Sequence, residues 1–341
     1  MNGDWLVRAR DGRLCAYEYA SEGDAIDCRL ECGPDGSWSA GRTVGGEQRL
    51  LRGLALAQGP HRYVHLVSWR PTVPGEAGLV HSTHFQPHLA ALDWTPLGHP
   101  NKKGDRTGPP AVAVDAQGRA HVFVRNGGGG LSMRVQGEKG GWGAWADLKG
   151  SGVRGELAAV AGESGLVEVY AVTADGIVCW RQREPGAKPV NDGGTLSVKV
   201  RESSLTALAT SATHSTLFFT DEDEVLHAWR GDAQPVPLLK AAGPGPVAAV
   251  RCMLDGHDCT VLAQRTTSGR VALAAYPTEQ ESAGAWWVES GPGLPEDAEV
   301  ALALDHRGDV TAASASSSTG QLLVARRKDE PGLALTAWQP V

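Results

Sequence analysis

PPAVAVDAQGRAHVFVRNGGGGLSMRVQGEKGGWGAWADLKG, residues 109–150, reads as four short strands in succession. An apolar run from Ala111 to Val114 leads into a polar turn with Gly118, and an alternating run from His121 to Arg125 leads into a glycine turn. A third run covers Leu131 to Gln136 and a fourth, bearing Trp142 and Trp145, covers Trp142 to Leu148. Runs of this length bounded by Gly, Asn and Asp are strand signals. Four of them joined by tight turns make one antiparallel meander, the unit of a β-propeller blade.

The unit recurs. An inner apolar run, a polar or glycine turn and a second run begin at Leu6, Leu54, Ala111, Leu157, Leu205, Val247 and Val300, at separations of 48, 57, 46, 48, 42 and 53 residues. A repeat of about 40 to 50 residues is the spacing of propeller blades. The pattern predicts an all-β fold, a seven-bladed β-propeller of four-stranded antiparallel blades. It forms one domain over 1–341, with blades at about 5–48, 49–104, 105–152, 153–202, 203–243, 244–294 and 295–341. Blade 1 has four strands of its own, so closure is expected from flat packing of blade 7 on blade 1, with the chain ends adjacent; a swapped closing strand is the alternative.

Composition fits this class and excludes others. The 44 Gly and 20 Pro are scattered as turn formers through 341 residues, which is unlike a disordered tract. The 32 Lys and Arg are interspersed among 39 Asp and Glu, for a net charge of −7. No basic stripe is left to neutralise a phosphate backbone, and nucleic acid is excluded as an expected partner. No apolar run approaches the roughly 18 to 20 residues that span a bilayer, so no membrane partner is expected. The opening MNGDWLVRARDGRLCAYEYA lacks the charged and apolar regions of a secretory leader, and the expectation is a cytoplasmic protein. The six cysteines fall mostly in strands as small buried residues, with a disulfide geometrically conceivable between Cys252 and Cys259 across one hairpin.

Six of the eleven histidines lie in blade 2: His61, His65, His81, His84, His88 and His99. His81 and His84 are three apart and should face opposite sides of a strand. His65 and His81 could be cross-strand neighbours, but no third ligand at a metal-like spacing completes a site, and no metal is expected. No nucleophile elbow, phosphate loop or dinucleotide fingerprint occurs, so no cofactor is expected. The residues entering the inner strands, Asp4, Arg52, Pro110, Glu156, Ser204, Pro246 and Glu299, should ring one mouth of the central funnel. Carboxylates such as Glu156 and Glu299 near Arg52 could raise one another's pKa and act in proton transfer, with His65 as a further acid or base.

Eleven tryptophans against four phenylalanines ask for an explanation. Trp38, Trp94, Trp142, Trp145, Trp286, Trp287 and Trp338 fall on or at outer strands, and Trp180 and Trp229 at matching places in third strands. A large ring between blades is a core role; it is also the stacking platform that a sugar requires.

HVFVRNGGGGLSMRVQGEKGGWGAWADLKG (121–150) and, less closely, VEVYAVTADGIVCWRQR (167–183) resemble the repeat of tectonin-like propellers, in particular the seven-bladed bacterial fucose-binding lectins. The resemblance implies a rigid ring with ligand pockets between adjacent blades, lined by Trp and by Arg or a carboxylate. Trp142, Trp145, Trp180 and Trp229, with Arg125 and Arg181, are the ligand-binding candidates on this basis, and the expected partner is a small molecule or glycan. Outer tryptophans are missing from blades 4 and 5, and degenerate repeats suit one asymmetric site better than seven equal ones. The alternative is a cofactor-independent enzyme, a lyase, cyclase, isomerase or hydrolase, with Glu156, Glu299, His65 and Arg52 at the funnel.

Overall fold

The computed structural model describes residues 1–20, 23–33, 36–46, 49–101, 107–191, 194–231 and 233–341, with backbone alone at positions 2, 3 and 156. Seven sheets, antiparallel but for one added parallel strand, follow one another along the chain, each ordered from the axis to the rim as its strands occur in sequence. Their inner strands are Leu6–Arg8, Leu51–Gln58, Ala111–Val114, Arg154–Ala161, Thr206–Ala209, Ala248–Leu254 and Glu299–Leu304. Among the described residues the only helical element is one 3-10 turn, Glu281–Ala283. The all-β, seven-bladed reading of the sequence therefore holds.

Second strands such as Leu14–Tyr19 and Ser215–Thr220 are buried along their whole length, because a blade lies between two others and has no solvent face. This is why they read as apolar runs rather than strict alternations. Outer strands are short, two residues at Arg42–Thr43, Thr195–Leu196 and Gln339–Pro340. The outer tryptophans sit just ahead of them: Trp142 makes an isolated bridge to Gln136, and Trp38 one to Glu31.

Two expectations need correction. Asn2–Gly3 is an additional strand, paired in parallel with the inner strand of blade 2 through Asn2 to Ala55 and Gly3 to Leu56. Blade 2 thus has five strands, and the first residues lie at the axis, where the Met1 amine is bound by Glu299. The last residues belong to the rim strand of blade 7, so the two ends are not adjacent. Closure does use apolar packing, with Leu322 and Val324 of blade 7 in one cluster with Leu6 and Leu14 of blade 1. It adds charge-assisted bonds: Arg326 Nη2 to Glu31 Oε1 at 2.5 Å, Arg29 Nη1 to the Val341 carbonyl at 2.7 Å, and Arg8 Nη1 to the Asp305 carbonyl at 2.6 Å.

Elsewhere the seams between blades are fastened by tryptophan. The indole N–H of Trp94 donates to the Val44 carbonyl at 2.9 Å, that of Trp145 to Leu97 at 3.2 Å, that of Trp180 to Leu148 at 3.0 Å and that of Trp287 to Lys240 at 2.7 Å. Trp338 donates to Ser290 Oγ at 3.1 Å. In each case the acceptor lies in or beside the outer strand of the preceding blade.

The ring can reach that strand because a glycine makes room. A Cβ on Gly150 would lie 2.7 Å from Cζ2 of Trp180, and its φ of +87° also favours glycine. Gly45 and Gly291 stand in the same relation to Trp94 and Trp338. Gly150→Ala combines backbone strain with a clash, whereas Gly140→Ala, at φ +82° with nothing within 4 Å, carries the strain alone. Chemical denaturation should show Gly150→Ala costing about 2 to 4 kcal/mol and Gly140→Ala about 1 to 2; equal losses would contradict the packing described.

Candidate functional site

The six ligand-binding candidates are spread over several seams. Trp180 is fully buried against Gly150, and Trp229 is closed off too, its N–H given to the Ala233 carbonyl at 2.9 Å and its ring edge-on to Tyr170. Neither presents a ring face to solvent: a buried indole satisfies its one donor and gains more from packing than from exposure. Arg181 is held by Glu168, Nε to Oε1 at 2.5 Å, with the Tyr170 hydroxyl donating to the other oxygen at 2.5 Å. Arg125 is half-buried, and its Nε has no hydrogen-bond partner.

Trp142 and Trp145 remain half-exposed at the seam of blades 2 and 3. The Arg134 guanidinium lies 6.0 Å from the Trp145 ring, and Trp142 meets His81 edge-on at 4.9 Å. His81 and His65 stack with Nδ1 of His65 3.0 Å from Nε2 of His81. They are diagonal neighbours, since the register sets His65 opposite Thr83 and His81 opposite Val67. His84 faces the other way, hydrogen-bonded to the Tyr17 hydroxyl of blade 1 at 2.9 Å.

Among the described residues the acid–base candidates each have their own partner. Glu299 is taken up by the Met1 amine, Arg52 reaches Ser317 Oγ at 3.2 Å and the Tyr19 ring, and His65 turns to His81 in the body of blade 2. The Glu156 side chain lies outside the described residues. Ser204, expected at the funnel mouth, is buried and bonded to the Arg201 carbonyl. Among the described residues no group of three His, Cys, Asp or Glu is placed to hold a metal. All six cysteines are free, Cys252 and Cys259 facing one another across their hairpin.

A polar arrangement between blades 5 and 6 was not singled out by the sequence. The third strand of blade 6, Val271–Pro277, ends in a proline, and the loop beyond it turns sharply at Glu279, φ +62°, and Gly284, φ +77°. This folds the loop back over blade 5, where Trp287 fixes it through the Lys240 carbonyl. Glu281, buried, forms a two-pronged pair with Arg230 of blade 5, Nη2 to Oε2 at 2.7 Å and Nη1 to Oε1. Bidentate pairs of this kind fix orientation as well as charge.

Glu279 extends the arrangement, accepting from Thr210 Oγ1 at 2.9 Å and lying 3.3 Å from His214 Nδ1. Burial pushes its carboxyl up, but bonds from Thr210, Ser211 and His214 outweigh that and hold it below the usual range. Thr216 joins Thr210 at 3.0 Å. The Tyr276 hydroxyl is buried without a hydrogen-bond partner, and burial followed by the charge of Glu281 drives its pKa up. On the same loop Trp286 is 74% exposed. A free aromatic face and a fixed cation and carboxylate thus share one seam. In the sequence Trp286 stands only as one of the tryptophans at the outer strands.

No protein-family model and no curated protein matches the chain. Solved structures do share its fold. The BP39L lectin from Burkholderia pseudomallei superposes with a TM-score of 0.71 at 15% identity, over 98% of this chain and 99% of that one. A Hadza microbial sialidase gives 0.54 at 12% identity over 86% and 71%. An Aleuria aurantia lectin variant in complex with α-methyl-L-fucoside gives 0.51 at 16% over 86% and 97%. The chain is similar in fold to lectin-type propellers along nearly its whole length, which extends in three dimensions the resemblance carried by residues 121–150.

Burial holds His65 down to about 4, and burial together with the charge of His65 holds His81 down to about 3. The unfolded chain takes up protons near 6.5 while the folded one does not, so this pair removes stability as pH falls from about 6.5 toward 4. Replacing both by Gln should flatten the stability profile in that window by at most about 2.7 kcal/mol per pH unit. Imidazole nitrogen shifts of the wild type should still report neutral rings at pH 5; a charged ring there would refute the buried placement.

Proposed function

We propose that this propeller is a lectin-like recognition protein that binds a carbohydrate at the seam of blades 5 and 6. The observation that carries the reading is the Arg230 and Glu281 pair on the loop that also exposes Trp286. A sugar offers adjacent hydroxyls that both donate and accept, together with a C–H face. A guanidinium and a carboxylate held rigidly side by side satisfy the first, and an indole face covers the second. Likeness of fold to lectins supports the class, and the inequality of the seams supports one site rather than seven. Trp142, Trp145 and Arg134 at the seam of blades 2 and 3 are the next candidate surface.

The test is a glycan array followed by calorimetry on its hits. Trp286→Ala and Glu281→Gln should each weaken binding at least about tenfold, the scale of losing one stacking or one charge-assisted contact. Trp142→Ala should leave affinity within about twofold, since it removes no contact at the proposed seam. Binding lost on Trp142→Ala but kept in the other two would move the site to blades 2 and 3, and an array without any hit would remove the lectin reading.

A further inference from the structure

Six of the inner strands, with Met1, Asp4 and Trp5 on the side of blade 1, enclose an axial cavity of about 830 Å³, within the size range of small-molecule sites. Small apolar side chains dominate its wall, among them Ala57, Ala113, Ala159, Ala207 and Ala249. The charged groups at its ends are mostly engaged. At the mouth by the inner-strand entries, Glu299 holds the Met1 amine, Asp297 accepts from Ser316, Ser317 and Ser318, and Arg265 donates to the Leu294 carbonyl. Glu296 is exposed at that lip. At the other mouth Arg62 bonds Gln58, Asp115 pairs with Arg119 and His121, and Glu163 pairs with Arg251.

Asp4 is different. The parallel pairing of Asn2–Gly3 with the inner strand of blade 2 carries it past the entry mouth and into the lumen. Its carboxylate has no hydrogen bond or ion pair among the described residues. Enclosure by protein pushes its pKa up to about 6, even though the lumen leaves the side chain exposed to solvent. An unpaired carboxylate set among apolar walls, with no protein cation beside it among the described residues, is the one anionic point in the lumen left open to a cation that enters it.

We propose that the axial channel binds a small organic cation, an alkylammonium or quaternary ammonium compound, with the cationic head at Asp4 and the apolar tail along the alanine wall. This site is independent of the seam of blades 5 and 6 and does not rest on the carbohydrate reading. Binding requires the ionised carboxylate, so affinity should fall about tenfold between pH 7 and pH 5, as a group titrating near 6 takes up its proton.

The probe is hexyltrimethylammonium, measured by calorimetry on the intact protein, with hexanol as the uncharged comparison. Wild type should bind the cation saturably, hexanol at least about tenfold more weakly, and Asp4→Asn should lose the same factor. The Asp4→Asn protein should melt no lower than wild type, because a carboxyl whose pKa is raised on folding opposes folding at neutral pH, and this separates lost binding from misfolding. Trp286→Ala should bind the cation as wild type does. Equal affinity for hexanol, equal affinity of Asp4→Asn, or no saturable binding at pH 7 would each overturn the proposal.

Discussion

An indole N–H reaching across a seam to the outer strand of the preceding blade is the contact on which the ring depends. Seven similar sheets side by side share broad apolar faces but need something to set their angular spacing. Five seams use the same device: a tryptophan just before the outer strand, or in the third strand of blade 4, whose donor has one acceptor within reach. Full burial of such a ring, as at Trp94 and Trp180, contributes roughly 2 to 3 kcal/mol, and the hydrogen bond about 1. The direction of the bond supplies what apolar packing lacks. At the other two seams Trp229 turns inward to its own blade, and closure between blades 7 and 1 is carried by Arg326, Arg29 and Arg8.

This use of tryptophan decides where recognition can occur. A ring pinned at its nitrogen and covered on its face is no longer a platform, so the abundance of tryptophan measures how the ring is fastened rather than how many ligands it binds. At the seam of blades 5 and 6 the two tasks are divided between neighbours, Trp287 fastening and Trp286 facing outward. The same loop brings Glu279 and Glu281 onto blade 5, and no other described seam gathers as many bonded polar side chains with an open aromatic face.

Architecture was legible in the sequence because it is periodic: the inner runs beginning at Leu6, Leu54 and Ala111 all lie on or beside inner strands. The candidate site was not, because Arg230 and Glu281 are 51 residues apart and meet only through the relative placement of two sheets, which no local pattern encodes. Trp180 and Trp229 were legible as important but not as buried, since an indole suits a core and a cleft equally. Glycines after the outer strand, such as Gly150 and Gly291, were the available signal, because room for a ring in one blade implies a ring from the next. Asp4 was placed at the funnel mouth by alignment; its position inside the lumen follows from a two-residue parallel pairing too short to read from periodicity.

The most direct test of this account is amide and indole hydrogen exchange followed on the eleven tryptophan side-chain resonances. The indole protons of Trp94, Trp145, Trp180, Trp287 and Trp338 should exchange far more slowly than that of Trp286, because each is bonded across a seam and opens only when two blades part. Exchange of those five at the rate of Trp286 would mean that the seams are not fastened in this way, and would contradict the account.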